Sequence, residues 1–155
     1  MKALIVYASL TGNTQEMAMM LAEILEYSQV EVRVSEVQQV SPYDYHAYDL
    51  CLMGSYTYEM FGKSGVLPQE THGFYEELRK EDLSGHVWGT FGSGDLKYSA
   101  FCQAVDDFSY QFEKTGATQG AVPIKINGPA EEDYERYILF ANQLIETAVT
   151  LKGRL

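Results

Sequence analysis

Residues 3–18 read ALIVYASLTGNTQEMA, and this stretch decides the fold. The apolar run from Ala3 to Tyr7 suits a strand buried on both faces. It gives way to Ser9, Thr11, Gly12, Asn13 and Thr14, after which Met17, Leu21, Ile24 and Leu25 fall on one helical face. Asn13 and Glu16 have the spacing of a capping pair at the helix start. A connection that only turns the chain needs one or two small or polar residues. The excess of hydroxyls and amides here points to something outside the chain being held.

The same alternation continues to the C-terminus without repeats or a linker. Strands are expected at Val30–Val34, Leu50–Gly54, Val87–Gly92 and Ala121–Ile126. Phe101, Val105, Phe108 and Phe112 form a second helical stripe, and Tyr137, Ala141, Leu144, Ile145 and Ala148 a third. A weaker helix lies around Phe74 to Leu78. Five strands joined by crossover helices give an α/β fold, one three-layer domain over residues 1–155 with a parallel sheet covered on both faces. Val30, Val32 and Val34 alternate with Glu31 and Arg33, and the fifth strand carries Pro123, so both belong at edges. Those edges fit the strand order 2-1-3-4-5. In that order the chain leaves the first strand to one side and returns on the other, and ligands sit beyond the carboxyl ends of the strands at this switch point. The loops facing it begin at Ser9, Ser55 and Ser93.

Composition narrows the function. A length of 155 residues with 46% hydrophobic and 21% charged side chains suits one globular core. A net charge of −11 argues against nucleic acid and favours basic-faced partners. The apolar run after Lys2 is too short for a signal peptide, and no stretch approaches the roughly 18 apolar residues of a membrane span, so a cytoplasmic protein is expected. Cys51 and Cys102 stand alone, and His46, His72 and His86 lack ligand spacing and read as surface residues, so no metal site is expected.

The first loop joins a strand to a helix N-terminus, which favours an anion. It has no lysine, and the hydroxyls of Ser9, Thr11 and Thr14 with the Asn13 amide form a neutral cage suited to a phosphate monoester. An ordinary capped turn would leave most of these hydroxyls unexplained. The second loop, from Ser55 to about Leu67, is long and carries Tyr56, Tyr58 and Phe61; the third reads SGDLKYSAFC. A flat aromatic ligand between two aromatic side chains explains both, although each ring could equally cover the sheet end. With the phosphate cage they point to a mononucleotide bearing a large ring. Gly62-Lys63-Ser64 imitates the end of a nucleotide-hydrolase loop, but Thr57 stands where the leading glycine belongs and Pro68 follows closely.

The stretch IVYASLTGNTQEMAMML resembles the phosphate loop of the flavodoxin family, and SYTY…LPQETHGFYEEL and GSGDLKYSAFCQAVDDF resemble its two ring-binding loops. The likeness spans nearly the whole chain and, with no insertion in the fifth strand, is to the short-chain branch. It implies a flavodoxin-like sheet, FMN as cofactor, and a low-potential carrier of single electrons between a reductase and acceptor enzymes, without catalytic residues of its own. Ser9, Leu10, Thr11, Gly12, Asn13 and Thr14 would hold the phosphate. Tyr98 would stack on the outer face of the ring and Tyr58 on the inner, with Ser55, Tyr56, Thr57, Glu59, Ser93, Gly94, Asp95, Phe101 and Cys102 completing the site. Family members commonly have glycine after the inner aromatic, where the peptide turns over on reduction; here Glu59 follows Tyr58 in a longer loop. Two other readings of the same fold stay open, an FMN enzyme of the quinone reductase type and a dedicated accessory module. A stacked Tyr98 would block nicotinamide in the first, and the altered second loop keeps the second in view. A monomer is expected. Trp88 reads as core, Asp106 and Asp107 as solvated, and no lysine or arginine motif sits where it would neutralise the ring.

Overall fold

β1 (Lys2–Ala8) is the spine of the sheet. In a computed structural model, which describes residues 1–60, 63–98, 100–128, 130 and 134–153, Ala3 to Val6 are fully buried. The strand pairs in parallel with β2 (Glu31–Glu36) on one side and β3 (Leu50–Ser55) on the other, with Ala3 opposite Val32 and Leu50. β6 (Val87–Gly94) follows β3, with Leu50 opposite Val87. The far edge is shared by β7 (Thr118–Gln119), beside Val87 and Trp88, and β8 (Ile124–Asn127), beside Phe91 to Gly94. The order is therefore 2-1-3-4-5 with the last position divided.

The expected fifth strand, Ala121–Ile126, needs correction. Pro123 has no N–H for a ladder, and the Gly120 N–H already bonds the Trp88 carbonyl at 2.8 Å, so the chain bends between β7 and β8. Val122 is 74% exposed, whereas Ile124 and Ile126 are buried.

Alternate strand residues feed separate cores. Ala3, Ile5, Leu52 and Phe91 pack with Met17, Leu21 and Leu25 of α1 (Asn13–Tyr27) and with Tyr137, Phe140 and Leu144 of α4 (Tyr134–Gly153). On the other face Leu4, Val6, Met53 and Trp88 pack with Phe74 and Leu78 of α2 (His72–Leu78) and Phe108 and Phe112 of α3 (Gln103–Glu113). Trp88 is core as expected, its ring parallel to Phe112 with centroids 5.5 Å apart. The Tyr45 hydroxyl, wholly buried in this second core, donates to the Leu52 carbonyl at 2.7 Å. Burial raises that phenol's pKa well above its usual value, with the Cys51 thiol adding to the rise.

Other local expectations change. Gly12, not Asn13, is the residue before α1, and no side chain caps the helix from that position. Phe101 precedes α3 instead of beginning its stripe. The second loop contains a hairpin of its own, β4 (Tyr58–Met60) with β5 (Lys63–Val66), antiparallel and outside the main sheet. Phe61 and Gly62 lie outside the described residues, while Lys63 and Ser64 fall on β5. His46 and His72 are exposed as expected, whereas His86 is half-buried, with its ring centroid 6.0 Å from that of His46, whose Nε2 bonds Glu81 Oε2 at 2.8 Å. Among the described residues no helix is long and apolar enough to cross a membrane, and no cluster of three or more potential ligands could hold a metal.

Candidate functional site

The carboxyl ends of β1, β3, β6 and β8 surround a cleft of 320 Å³ lined by Leu10, Thr11, Asn13, Tyr56, Thr57, Glu59, Ser93, Gly94, Asp95, Asn127 and Gly128. A larger depression of 600 Å³ runs along α1 past Met19 and Glu23, away from the other two loops. Only the smaller cleft lies where all three meet.

The first loop is shaped by Ser9. Its Oγ accepts the N–H groups of Gly12 at 3.1 Å and Gln15 at 3.3 Å, drawing the chain back over the helix start. Gly12 has φ +96, and a Cβ there would meet nothing within 4 Å, so glycine serves the backbone conformation and not the space. The first amides of a helix have no acceptor within it. Ser9 takes that of Gln15, leaving those of Asn13 and Thr14, with the positive end of the helix dipole, for an acceptor outside the chain. Thr14 Oγ1 and Ser93 Oγ share a buried hydrogen bond of 2.9 Å, tying the first loop to the third.

The second loop is anchored at successive residues. Ser55 Oγ donates to the Tyr56 carbonyl at 2.7 Å, and the Tyr56 N–H reaches the Ala8 carbonyl at 3.3 Å. The Tyr56 hydroxyl donates to Glu70 Oε1 at 2.7 Å; burial and that carboxylate push its pKa up. Thr57 Oγ1 accepts the Ala104 N–H at 2.9 Å, supplying the cap that Cys102, the residue before α3, does not. The hairpin closes through Glu59, whose Oε2 accepts the Gly65 N–H at 3.2 Å.

The third loop turns at Asp95, whose Oδ1 accepts the Lys97 N–H at 3.0 Å and whose carbonyl accepts the Tyr98 N–H at 3.1 Å. Lys97 Nζ stands 5.1 Å from the centre of the Tyr98 ring and 3.7 Å from Asp95, a cation at this end of the site that the sequence did not signal. Asn127 Oδ1 accepts the Leu96 N–H at 3.2 Å. Gly92 forms the floor between second and third loops: a Cβ there would lie 2.2 Å from the Ser55 carbonyl oxygen. Cys102 is buried with φ +53, its Sγ 3.8 Å from the Gly92 carbonyl and 3.9 Å from that of Ile126. Burial pushes its thiol up to about 11, so it is an unreactive structural group. Asp106 pairs with Lys125 at 2.8 Å. Asp107 is half-buried and not freely solvated; burial raises its pKa against the Gln103 amide that bonds it at 3.0 Å.

Of the residues singled out from sequence, Leu10, Thr11, Asn13, Tyr56, Thr57, Glu59, Ser93, Gly94 and Asp95 line the cleft. Ser9, Gly12, Thr14, Ser55 and Cys102 stand behind it as supports, Tyr58 and Tyr98 lie outside its lining, and Phe101 is half-buried beside Gly94. Asn127 and Gly128 were missed. Their signal was an Asn-Gly pair closing the last strand, at the carboxyl edge beside β6.

A parallel sheet wound to both sides of β1, with hydroxyls and a helix N-terminus at a cleft on its carboxyl edge, defines a doubly wound α/β protein. The flavodoxin family model matches residues 5–139. A flavodoxin of Maridesulfovibrio salexigens is 37% identical over 134 residues, 85% of this chain and 90% of that one. The solved flavodoxin of Streptococcus pneumonia TIGR4 is 40% identical with a TM-score of 0.89 over 95% of this chain and 99% of the other. Oxidised flavodoxin 2 from Bacillus cereus is 35% identical with a TM-score of 0.87 over 95% and 99%. The chain belongs to the flavodoxin family, among its short-chain members, whose cofactor is FMN. It is an electron carrier that works with reductases and acceptor proteins and turns over no substrate of its own.

Proposed function

We propose that this chain, as one domain over residues 1–155, holds FMN in the cleft with its phosphate at the first loop and its ring between the second and third. The observation that carries the reading is the joining of all three loops around one hydroxyl-rich cleft, through the Thr14–Ser93 and Thr57–Ala104 bonds. Bound FMN would supply the redox centre, taking up and giving out electrons one at a time. The chain's own residues bind and orient it. The Asn13 and Thr14 amides and the Thr11 hydroxyl would hold the phosphate, and the Gly94 and Asp95 backbone would hold the polar edge of the ring. Tyr58, 37% exposed on β4, and Tyr98 beside Lys97 would cover the ring and exclude water.

Potentials are low because the lining contributes Glu59 and Asp95 and, among the described residues, no lysine or arginine. Exchange takes place with basic-faced reductases and acceptor enzymes, drawn to a chain of net charge −11. The protein acts as a monomer in the cytoplasm. Anaerobic reductive titration of the FMN-reconstituted protein tests the reading. Two well-separated one-electron steps are expected, the second far more negative. Reduction in one two-electron step, or failure to retain FMN, would overturn it.

A further inference from the structure

We propose that the groove along α1 and α4 is a docking site for a basic amphipathic helix of a partner protein, separate from the cleft. Two depressions, of 600 Å³ and 410 Å³, meet at Glu23 and together follow α1 from Gly12 to Ser28. Met19, Met20 and Tyr27 supply apolar surface on α1, and Tyr134 and Ile138, one turn apart, supply it on α4. Tyr27 is 91% exposed, and Met19, Tyr134 and Ile138 are exposed with it. Single apolar side chains on a surface are ordinary, but a contiguous row along a groove marks a place of contact. Between Gly12 and Ser28 the helix rises about 24 Å, room for a second helix laid along it.

Charge selects the occupant. Glu16 and Glu23 line the groove and Glu26 is exposed on the same helix. Among the described residues no lysine or arginine lines the groove or pairs with these three. A second copy of this chain would set the carboxylates against their own images, and an anionic lipid surface would be repelled by them. A helix with an apolar face flanked by lysine and arginine satisfies both features: its apolar face covers the methionines and tyrosines, and its cations meet the glutamates. The unbranched methionine side chains adapt to the ridges of whatever helix lies on them. Neither depression includes Tyr58 or Tyr98, so a protein anchored here leaves the ring end of the cleft open to a second redox partner.

The test uses the full chain incubated with FMN and an amidated peptide of about 16 leucines and lysines in amphipathic helical order, with a scrambled peptide of the same composition as control. Amide shifts are followed by NMR and affinity by anisotropy of the labelled peptide; neither readout depends on the flavin. The ordered peptide should bind at micromolar concentration, move amides of α1 and α4, and exceed the scrambled one about tenfold in affinity. Tyr27→Ser with Ile138→Ser, both at exposed positions, should weaken it about tenfold. Glu16→Gln with Glu23→Gln should weaken it less and flatten its salt dependence. Equal binding of the two peptides, shifts centred on the three loops of the cleft, or a double serine variant that binds like wild type would overturn the inference. Self-association that the serine variant abolishes, or binding to phosphatidylglycerol vesicles, would give the groove a different occupant and overturn it as well.

Discussion

The two ends of the cleft are built on different terms. The phosphate end is local: Ser9 organises two amides within six residues, and the chain passes directly from a buried strand to a helix. The ring end is assembled from afar. Thr57 reaches Ala104 across 47 positions, Glu59 reaches Gly65 inside a hairpin that belongs to no larger sheet, and Asn127 reaches back to Leu96. A single backbone conformation secures the first end, and a set of side-chain contacts secures the second. The ends should therefore fail separately, except where they share a floor.

Gly92 lies under the ring end, beside the Ser93 that bonds Thr14 of the phosphate end, and carries the largest expected effect. In Gly92→Ala the new Cβ meets the Ser55 carbonyl oxygen at 2.2 Å and Val105 Cγ2 at 2.6 Å, and the first of these is backbone that cannot rotate away. A stability loss of about 3 kcal/mol in urea unfolding is expected, with FMN binding lost. An unchanged unfolding midpoint would show that the strands separate more easily than the packing implies.

Gly12→Ala probes the phosphate end alone. A side chain at φ +96 costs about 1–2 kcal/mol, and relaxation of the loop should weaken FMN about tenfold while hardly touching riboflavin, which has no phosphate. Equal losses for both flavins would place the loop's influence on the ring instead. Thr57→Ala probes the other end. Loss of the Ala104 cap should cost about 1 kcal/mol, and riboflavin and FMN should weaken to a similar, smaller degree. A loss confined to FMN would erase the distinction between the two ends.

Legibility in the sequence follows the same division. The Val and Glu alternation of β2 and the unbroken apolar run of β1 placed edge and centre correctly, because burial on one face or two is written in the residues themselves. The first loop was equally readable as a place of polar excess. Its cap was misread because Gly12 occupies the position before the helix and Ser9 reaches in from further back. The bend before Ile124 was signalled by Pro123, which marks a sheet edge and a break in a strand alike. The β4–β5 hairpin, the Thr57 cap and the meeting of His46 with His86 depend on contacts between segments distant in sequence, which no periodicity reports.

Trp88 is the chain's single tryptophan, sealed against Phe112 in β6, the strand whose far end at Ser93 and Gly94 forms the cleft. Five strand residues span about 17 Å, close enough for indole emission to pass to a bound flavin. The molecule thus contains its own optical ruler. Emission that brightens without changing colour marks departure of the cofactor from an intact sheet, and emission that shifts to longer wavelength marks the opening of the core.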